Sequence, residues 1–417
     1  MSHETALIAT IAGGIALAFL LGLVAVRVGL PPLVGYLLAG VVIGPFTPGF
    51  VADSGLAQQL AEIGIILLMF GVGMHFSLAD LLAVRRIALP GAIAQIGVAT
   101  LLGAGLARLW GWSWGGGLVF GLCLSVASTV VLLRALEDRK MVDTPDGRIA
   151  IGWLIVEDLV TVLILVLLPA LAVPLGGTPD SHESTISSRH ILLTIGATIL
   201  EVAAFVALML IVGRRVVPWL LQRVARTGSR ELFTLCVLAV ALGIAVGASA
   251  LFGVSFALGA FFAGMVVNGS EQSHAAATES LPLRDAFSVL FFVAVGMLFE
   301  PAVLIRQPLQ VLAVVTIIIL GKSLAAFLIV RAFRHPTNTA LTICASLAQI
   351  GEFSFILAAL GKRLGLLTAE AQSLIVAGAL ISITLNPIAF WGVARLGEWL
   401  GGGPRRRVVL GERGHVH

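Results

Sequence analysis

Long apolar runs, most of them free of charge, recur from one end of the chain to the other. A run of about 20 such residues is what a helix needs to cross a bilayer. Lipid offers nothing to an unpaired peptide group, so segments of this kind can only be helices. Thirteen lie along the chain, at about 6–27, 32–49, 56–76, 87–110, 114–136, 149–173, 191–216, 231–250, 253–269, 285–300, 308–331, 339–360 and 371–396. The second and ninth are short and glycine-rich. The expected fold is an all-α membrane protein of about 13 transmembrane helices. Charged residues are 12% of the 417 and cluster between the runs, which marks the clusters as loops. A soluble enzyme, a nucleic-acid binder and a disordered chain are thereby excluded. The net charge of +4 belongs to helix ends facing lipid headgroups and implies no nucleic-acid partner. Transporter, channel and membrane-embedded enzyme remain.

The first run, Ala6 to Val26, follows Glu4 instead of a basic stretch and precedes no small-residue cleavage site, so it is expected to stay as a helix. Cys123, Cys236 and Cys344 each sit inside an apolar run without metal spacing and read as small core residues. An odd number of spans puts the termini on opposite sides. With the N-terminus outside, 20 of the 26 Lys and Arg residues fall on the inner side and five on the outer, while Lys322 lies within a span. That asymmetry predicts a cytoplasmic C-terminus.

The two halves of the chain share three in-order matches. Tyr36-Leu-Leu-Ala-Gly40 resembles Ala260-Phe-Phe-Ala-Gly264, Phe70-Gly-Val-Gly73-Met-His-Phe76 resembles Val293-Ala-Val-Gly296-Met-Leu-Phe299, and Cys123-Leu-Ser125-Val-Ala-Ser128 resembles Cys344-Ala-Ser346-Leu-Ala-Gln349. They superpose spans two, three and five on spans nine, ten and twelve. A shift of seven helices is odd, so the second copy is inverted in the membrane. The organisation expected is one transmembrane domain over residues 1–400, with repeat one at about 6–173, a linker helix at about 191–216 and repeat two at about 231–396. A basic tail, 401–417, follows. Inverted repeats are a transporter signature, since two similar halves of opposite topology can open alternately to each side.

Span six carries adjacent acids, Glu157 and Asp158, near its middle. An acid at that depth costs about 2.5–3.5 kcal/mol on insertion scales and marks an ion pathway or proton relay. Neighbouring helix positions point about 100° apart, so one acid faces a cavity and the other a partner. Lys322, in the middle of span eleven, is the cation that can answer them, pairing with Glu157 or Asp158. Spans five and twelve both carry polar clusters: Ser125, Ser128 and Thr129 in one, Ser346, Gln349, Gly351 and Glu352 in the other. Such residues at depth are what an interrupted helix needs for its freed backbone groups. Two interrupted helices crossing at the midplane would point half-helix ends at each other. Asp158 would then offset the positive ends and Lys322 the negative ones.

Pro32-Leu-Val-Gly-Tyr-Leu-Leu-Ala-Gly40, Leu124-Ser-Val-Ala-Ser-Thr-Val-Val131, Trp153-Leu-Ile-Val-Glu-Asp-Leu159 and Ser346-Leu-Ala-Gln-Ile-Gly-Glu-Phe353 make the chain recognisable. From span one to span thirteen it resembles the membrane domain of the Kef-type, YbaL-like branch of the monovalent cation:proton antiporters. The resemblance implies a sodium/proton antiporter-like fold, a homodimer and a bacterial inner membrane. It further implies a scaffold of spans one to three and eight to ten beside a moving core of spans four to six and eleven to thirteen. The family's ion and proton carrier falls on Asp158, the position before it on Glu157 and its lysine on Lys322. Kef potassium-efflux relatives commonly hold an uncharged polar residue where this chain has Glu157. The family also commonly continues into a cytoplasmic nucleotide-binding domain with a Gly-x-Gly-x-x-Gly turn. Here Gly401-Gly-Gly-Pro-Arg-Arg-Arg407 and a short tail carry no such turn, so the regulatory nucleotide-binding domain or subunit that the resemblance implies as a partner is not read from these residues.

The expected mechanism is competition: Asp158 binds a proton or a monovalent cation, K+ before Na+, with Ser and Thr hydroxyls and backbone oxygens of span five, from Ser125, Ser128 and Thr129, completing the shell. No cofactor and no metal beyond the transported ion is expected in this chain. The rival is a gated K+ channel, against which the inverted repeat and the lack of a selectivity-filter sequence both argue. An embedded hydrolase would need a His-x-x-x-His or Gly-x-Ser-x-Gly beside the acids, and neither is present.

Overall fold

A computed structural model of the chain describes residues 3–48, 53–75, 78–177, 196 and 200–399. The expected linker helix at 191–216 lies partly outside the described residues, and the basic tail at 401–417 wholly so. Everything regular among the described residues is helix: α1 His3–Arg27, α2 Pro32–Ile43, α3 Ser54–His75, α4 Leu78–Leu109, α5 Trp114–Ser125, α6 Thr129–Glu137, α7 Pro145–Leu171, α8 Arg214–Ala225, α9 Arg230–Phe252, α10 Phe256–Asn268, α11 Ser273–Met297, α12 Pro308–Thr316, α13 Lys322–Ala332, α14 Thr337–Leu347, α15 Glu352–Arg363 and α16 Ala369–Trp399. Among the described residues, nine stretches are long and apolar enough to span a membrane; the bent pair α14 and α15 forms a tenth, and α2 and α10 are shorter apolar helices.

Local chemistry sets the boundaries. Prolines open α2 and α7 at positions whose N–H would be unpaired in any helix. Hydroxyls of Ser113, Thr144, Ser229 and Ser255 cap α5, α7, α9 and α10, and Gly253 closes α9 in the left-handed region at φ 62°. Two helices begin earlier than their apolar runs. α11 starts at Ser273, not near 285, because Ser273–Arg284 is a polar helical extension that hydropathy does not register. α4 likewise starts at Leu78, ahead of Arg85 and Arg86. Large apolar side chains point outward from α1, α9 and α12–α13, among them Phe19, Leu251, Leu309 and Leu324, as a lipid-facing surface requires.

The helices pack as two groups. In one, α3 lies against α10 and α11, and α2 against α1 and α11, with α9 beside α10. In the other, α4 packs on α5, α7 and α13, while α14 and α15 pack on α16. α2 has only 12 residues, about 18 Å of helix, and can sit inside the first group because glycine lets backbones touch. A Cβ on Gly40 would overlap the Val293 carbonyl oxygen, and one on Gly296 that of Leu37. Between α3 and α10 the same contact recurs: Gly73 faces the Phe261 carbonyl and Gly264 that of Phe70. These are the glycines of the repeat matches, and exchanging the repeats converts one contact into the other. Gly40→Ala should therefore force α2 from α11, at about 1–3 kcal/mol for overpacking. A lowered melting temperature in detergent checks this; an unchanged one contradicts it.

Candidate functional site

Two chain breaks face each other in the second helix group. α5 stops at Ser125, Val126 to Ser128 run extended, and α6 starts at Thr129. α14 stops at Leu347, and α15 resumes at Glu352 at an angle of 47° after an extended Gly351. Each break frees peptide groups that lipid cannot satisfy, and side chains of the opposite break satisfy them. The Gln349 amide receives the Ser128 N–H on Oε1 (2.9 Å) and donates through Nε2 to the carbonyls of Ser128 (3.1 Å) and Ser346 (3.3 Å). Ser354 donates to the Val126 carbonyl at 3.4 Å. Gly351 sits against Ser128 so closely that a Cβ there would overlap the serine side chain.

The span-six acids, on α7, reach this crossing by different routes. Glu157, fully buried, takes the Ala127 N–H on Oε2 at 2.8 Å. Asp158 takes the Thr129 hydroxyl on Oδ2 at 3.0 Å, and among the described residues its Oδ1 has no protein hydrogen-bond partner. A cavity of about 600 Å³ lies between the two helix groups, and its lining includes Asp158, Thr129 and Glu352. Glu157 is not part of that lining. One acid thus faces open space, and the other faces backbone.

Lys322 is buried at 0% exposure directly after a π-helical turn, Ile317–Gly321. Its Nζ donates to the Gln349 carbonyl at 2.9 Å. None of the ion pairs within 4 Å among the described residues includes it. Instead of a direct pair with either acid, the ammonium sits on a carbonyl freed beyond the C-terminus of α14, where a half-helix carries negative partial charge, and it interacts with Glu157 through space. Of the three polar residues expected around the ion, Thr129 alone is hydrogen-bonded to Asp158. The Ser125 hydroxyl turns back to the Leu122 carbonyl, and the Ser128 hydroxyl caps α6 at Val131. Ser346 contributes its carbonyl to Gln349, while its hydroxyl is buried without a hydrogen-bond partner among the described residues.

Comparison with known proteins joins this geometry to a lineage. The family described as sodium/hydrogen exchanger, transmembrane, matches residues 15–391. The chain belongs to that family. It is 64% identical over 390 residues to YbaL of Escherichia coli (strain K12), named as a cation/proton antiporter, covering 94% of this chain and 69% of that one. It is 30% identical over 376 residues to the glutathione-regulated potassium-efflux system protein KefC of Cronobacter sakazakii, covering 89% of this chain and 58% of that one. Against the sodium proton antiporter MjNhaP1 of Methanocaldococcus jannaschii the TM-score is 0.66 at 17% identity, over 95% of this chain and 99% of that one, which establishes a shared fold. These relatives are transporters, not enzymes.

The exchanger fold also uses residues that sequence reasoning passed over. Gln95 on α4 donates to the Ser125 carbonyl at 3.1 Å, so a neutral amide meets the end of α5 where Lys322 meets the segment after α14. Its Oε1 lies 3.5 Å from the Trp153 indole nitrogen. Asn386 on α16 donates to the Ala345 carbonyl at 2.9 Å. Each is a single buried amide in an apolar run, and that was the available signal. Asp285 also lines the cavity, together with Arg284, whose guanidinium donates to it at 2.9 Å.

Proposed function

We propose that the chain exchanges a monovalent cation for protons by alternating access, with Asp158 as the carboxylate the two ions occupy in turn. The observation that carries this reading is the Asp158 oxygen without a protein partner, in a cavity between the two helix groups. K+ is the favoured cation, because relatives such as KefC are named for potassium efflux, and Na+ is the second. The cavity lining also includes Pro31, Arg134, Glu137 and Arg284. The Lys and Arg distribution assigns that side to the cytoplasm, with the N-terminus outside. The conformation is then inward-facing.

In this reading the group holding α4–α7 and α12–α16 moves against the group holding α1–α3 and α9–α11. When Asp158 carries a proton or a cation its charge is compensated, and it passes the apolar wall formed by Leu33, Leu68, Val72, Phe261 and Phe292. Empty, it is an unpaired carboxylate facing that wall, which is costly. Coupling follows, because neither ion returns without the other. Glu157 and Lys322 hold fixed charges at the crossing and travel with it. Repeat one at 6–173 and repeat two at 231–396 supply the two half-sites, in a homodimer in the bacterial inner membrane.

The test is an imposed pH gradient across sealed proteoliposomes with the membrane potential clamped, offering K+ and Na+ in turn. Uphill cation movement driven by protons is expected. Downhill cation flow with no proton linkage would identify a gated channel instead.

A further inference from the structure

Glu352 is 1% exposed, opens α15, and shares the cavity wall with Asp158. No ion pair within 4 Å holds it among the described residues, so it is not the salt-bridge partner a buried acid would normally be. Its carboxylate lies against the Ser128 hydroxyl and the Thr129 peptide N–H. Its Oε2, however, has no hydrogen-bond partner among the described residues. Asp158 has the same arrangement: Oδ2 is anchored by the Thr129 hydroxyl, and Oδ1 is unpartnered. Thr129 therefore serves both acids, one through its backbone and one through its side chain, and brings them onto a single residue at the tip of α6.

A monovalent cation leaving water needs several oxygens to replace its hydration shell. Asp158 Oδ1 and the Thr129 hydroxyl provide two. A second carboxylate would ordinarily be repelled from the first. Here the positive ends of two half-helices, α6 and α15, meet at the pair and supply the compensation that lets both acids occupy one cavity. We propose that Glu352 is a second ligand of the transported cation, its Oε2 joining Asp158 Oδ1 on the same ion. The assignment rests on the reading of Asp158 as carrier. It also gives the second broken helix a direct part in binding: the ion is held between one residue of α7 and one of α15, so occupancy ties α7 to the second break.

The experiment reconstitutes wild type, Glu352→Gln, Glu352→Asp and Asp158→Asn in proteoliposomes and measures K+-dependent proton movement over a range of K+ concentration and pH. Glu352→Gln is expected to raise the KM for K+ by about tenfold or more, the effect of losing one charge-assisted contact, with a displaced pH profile. Glu352→Asp, which keeps the charge on a shorter arm, should recover part of the KM. A structural role alone would lower the yield of folded protein and leave KM and the pH profile at wild-type values; that result overturns the proposal. If Glu352→Gln does not fold, the readout passes to Glu352→Asp and to the rise in melting temperature on adding KCl. A reduced rise supports the assignment, and a wild-type rise overturns it. Exchange preserved in Asp158→Asn would remove the carrier reading itself. An inactive Asp158→Asn beside a wild-type-like Glu352→Gln would remove only the role of Glu352.

Discussion

Asp158→Asn should reduce cation-dependent proton movement in proteoliposomes to the level of protein-free vesicles while the protein still folds. The two halves of that expectation have separate causes. Folding survives because the contact that positions Asp158 is the Thr129 hydroxyl on Oδ2 at 3.0 Å, and an amide oxygen accepts that bond equally well. Asparagine is also close to isosteric, so the packing of α7 against α4 is undisturbed. Transport fails because an amide neither releases a proton near neutral pH nor balances a cation. A site that is neutral when empty has lost both ions and the penalty on crossing unloaded. Proton flux read with a pH-sensitive dye, beside size-exclusion and thermal-melting profiles, checks both halves. Exchange at wild-type rate would refute the carrier assignment, and a collapsed elution profile would refute the account of its contacts.

The same contacts explain which parts of the molecule could be read from residue order. The breaks at Val126–Ser128 and Ala348–Gly351 were legible because hydroxyls and amides inside an apolar run have few uses other than serving interrupted backbone. The pairing of Gly40 with Gly296 and of Gly73 with Gly264 was half legible. The repeat matched Gly40 to Gly264 and Gly73 to Gly296, but which helix each would touch needed the packing. Side-chain direction was not legible. Ser125, Ser128 and Thr129 are near neighbours of one chemistry, yet the helix end at Ser125 turns its hydroxyl to Leu122, and the cap geometry turns Ser128 to Val131. Only Thr129, the first residue of α6, is left to face α7. Backbone dihedrals made that selection, and composition carries no trace of it. Gln95 stayed hidden for the opposite reason: its partner is a backbone carbonyl 30 residues away, and a carbonyl has no sequence signature.

Lys322→Met should lower stability by about 3–5 kcal/mol, the usual result of removing one member of a buried charged set. Methionine keeps much of the volume and the unbranched stem, so the loss isolates the ammonium. Two groups are stranded without it: the Gln349 carbonyl, which loses its 2.9 Å donor, and Glu157, which loses the cation it feels through space. Glu157 keeps the Ala127 N–H, and its Oε1 has no hydrogen-bond partner among the described residues to compensate. The double variant Glu157→Gln with Lys322→Met separates the two contributions. Removing the acid's charge abolishes the need for a counter-charge, so most of the electrostatic loss should return and the uncapped carbonyl should account for the remainder. Thermal melting of the four proteins in one detergent forms the cycle. Additive losses would show that Lys322 and Glu157 do not interact and that the lysine acts on the broken helix alone. A double variant more stable than Lys322→Met places the pair as one electrostatic unit, held at the crossing so that Asp158 is the carboxylate left to bind.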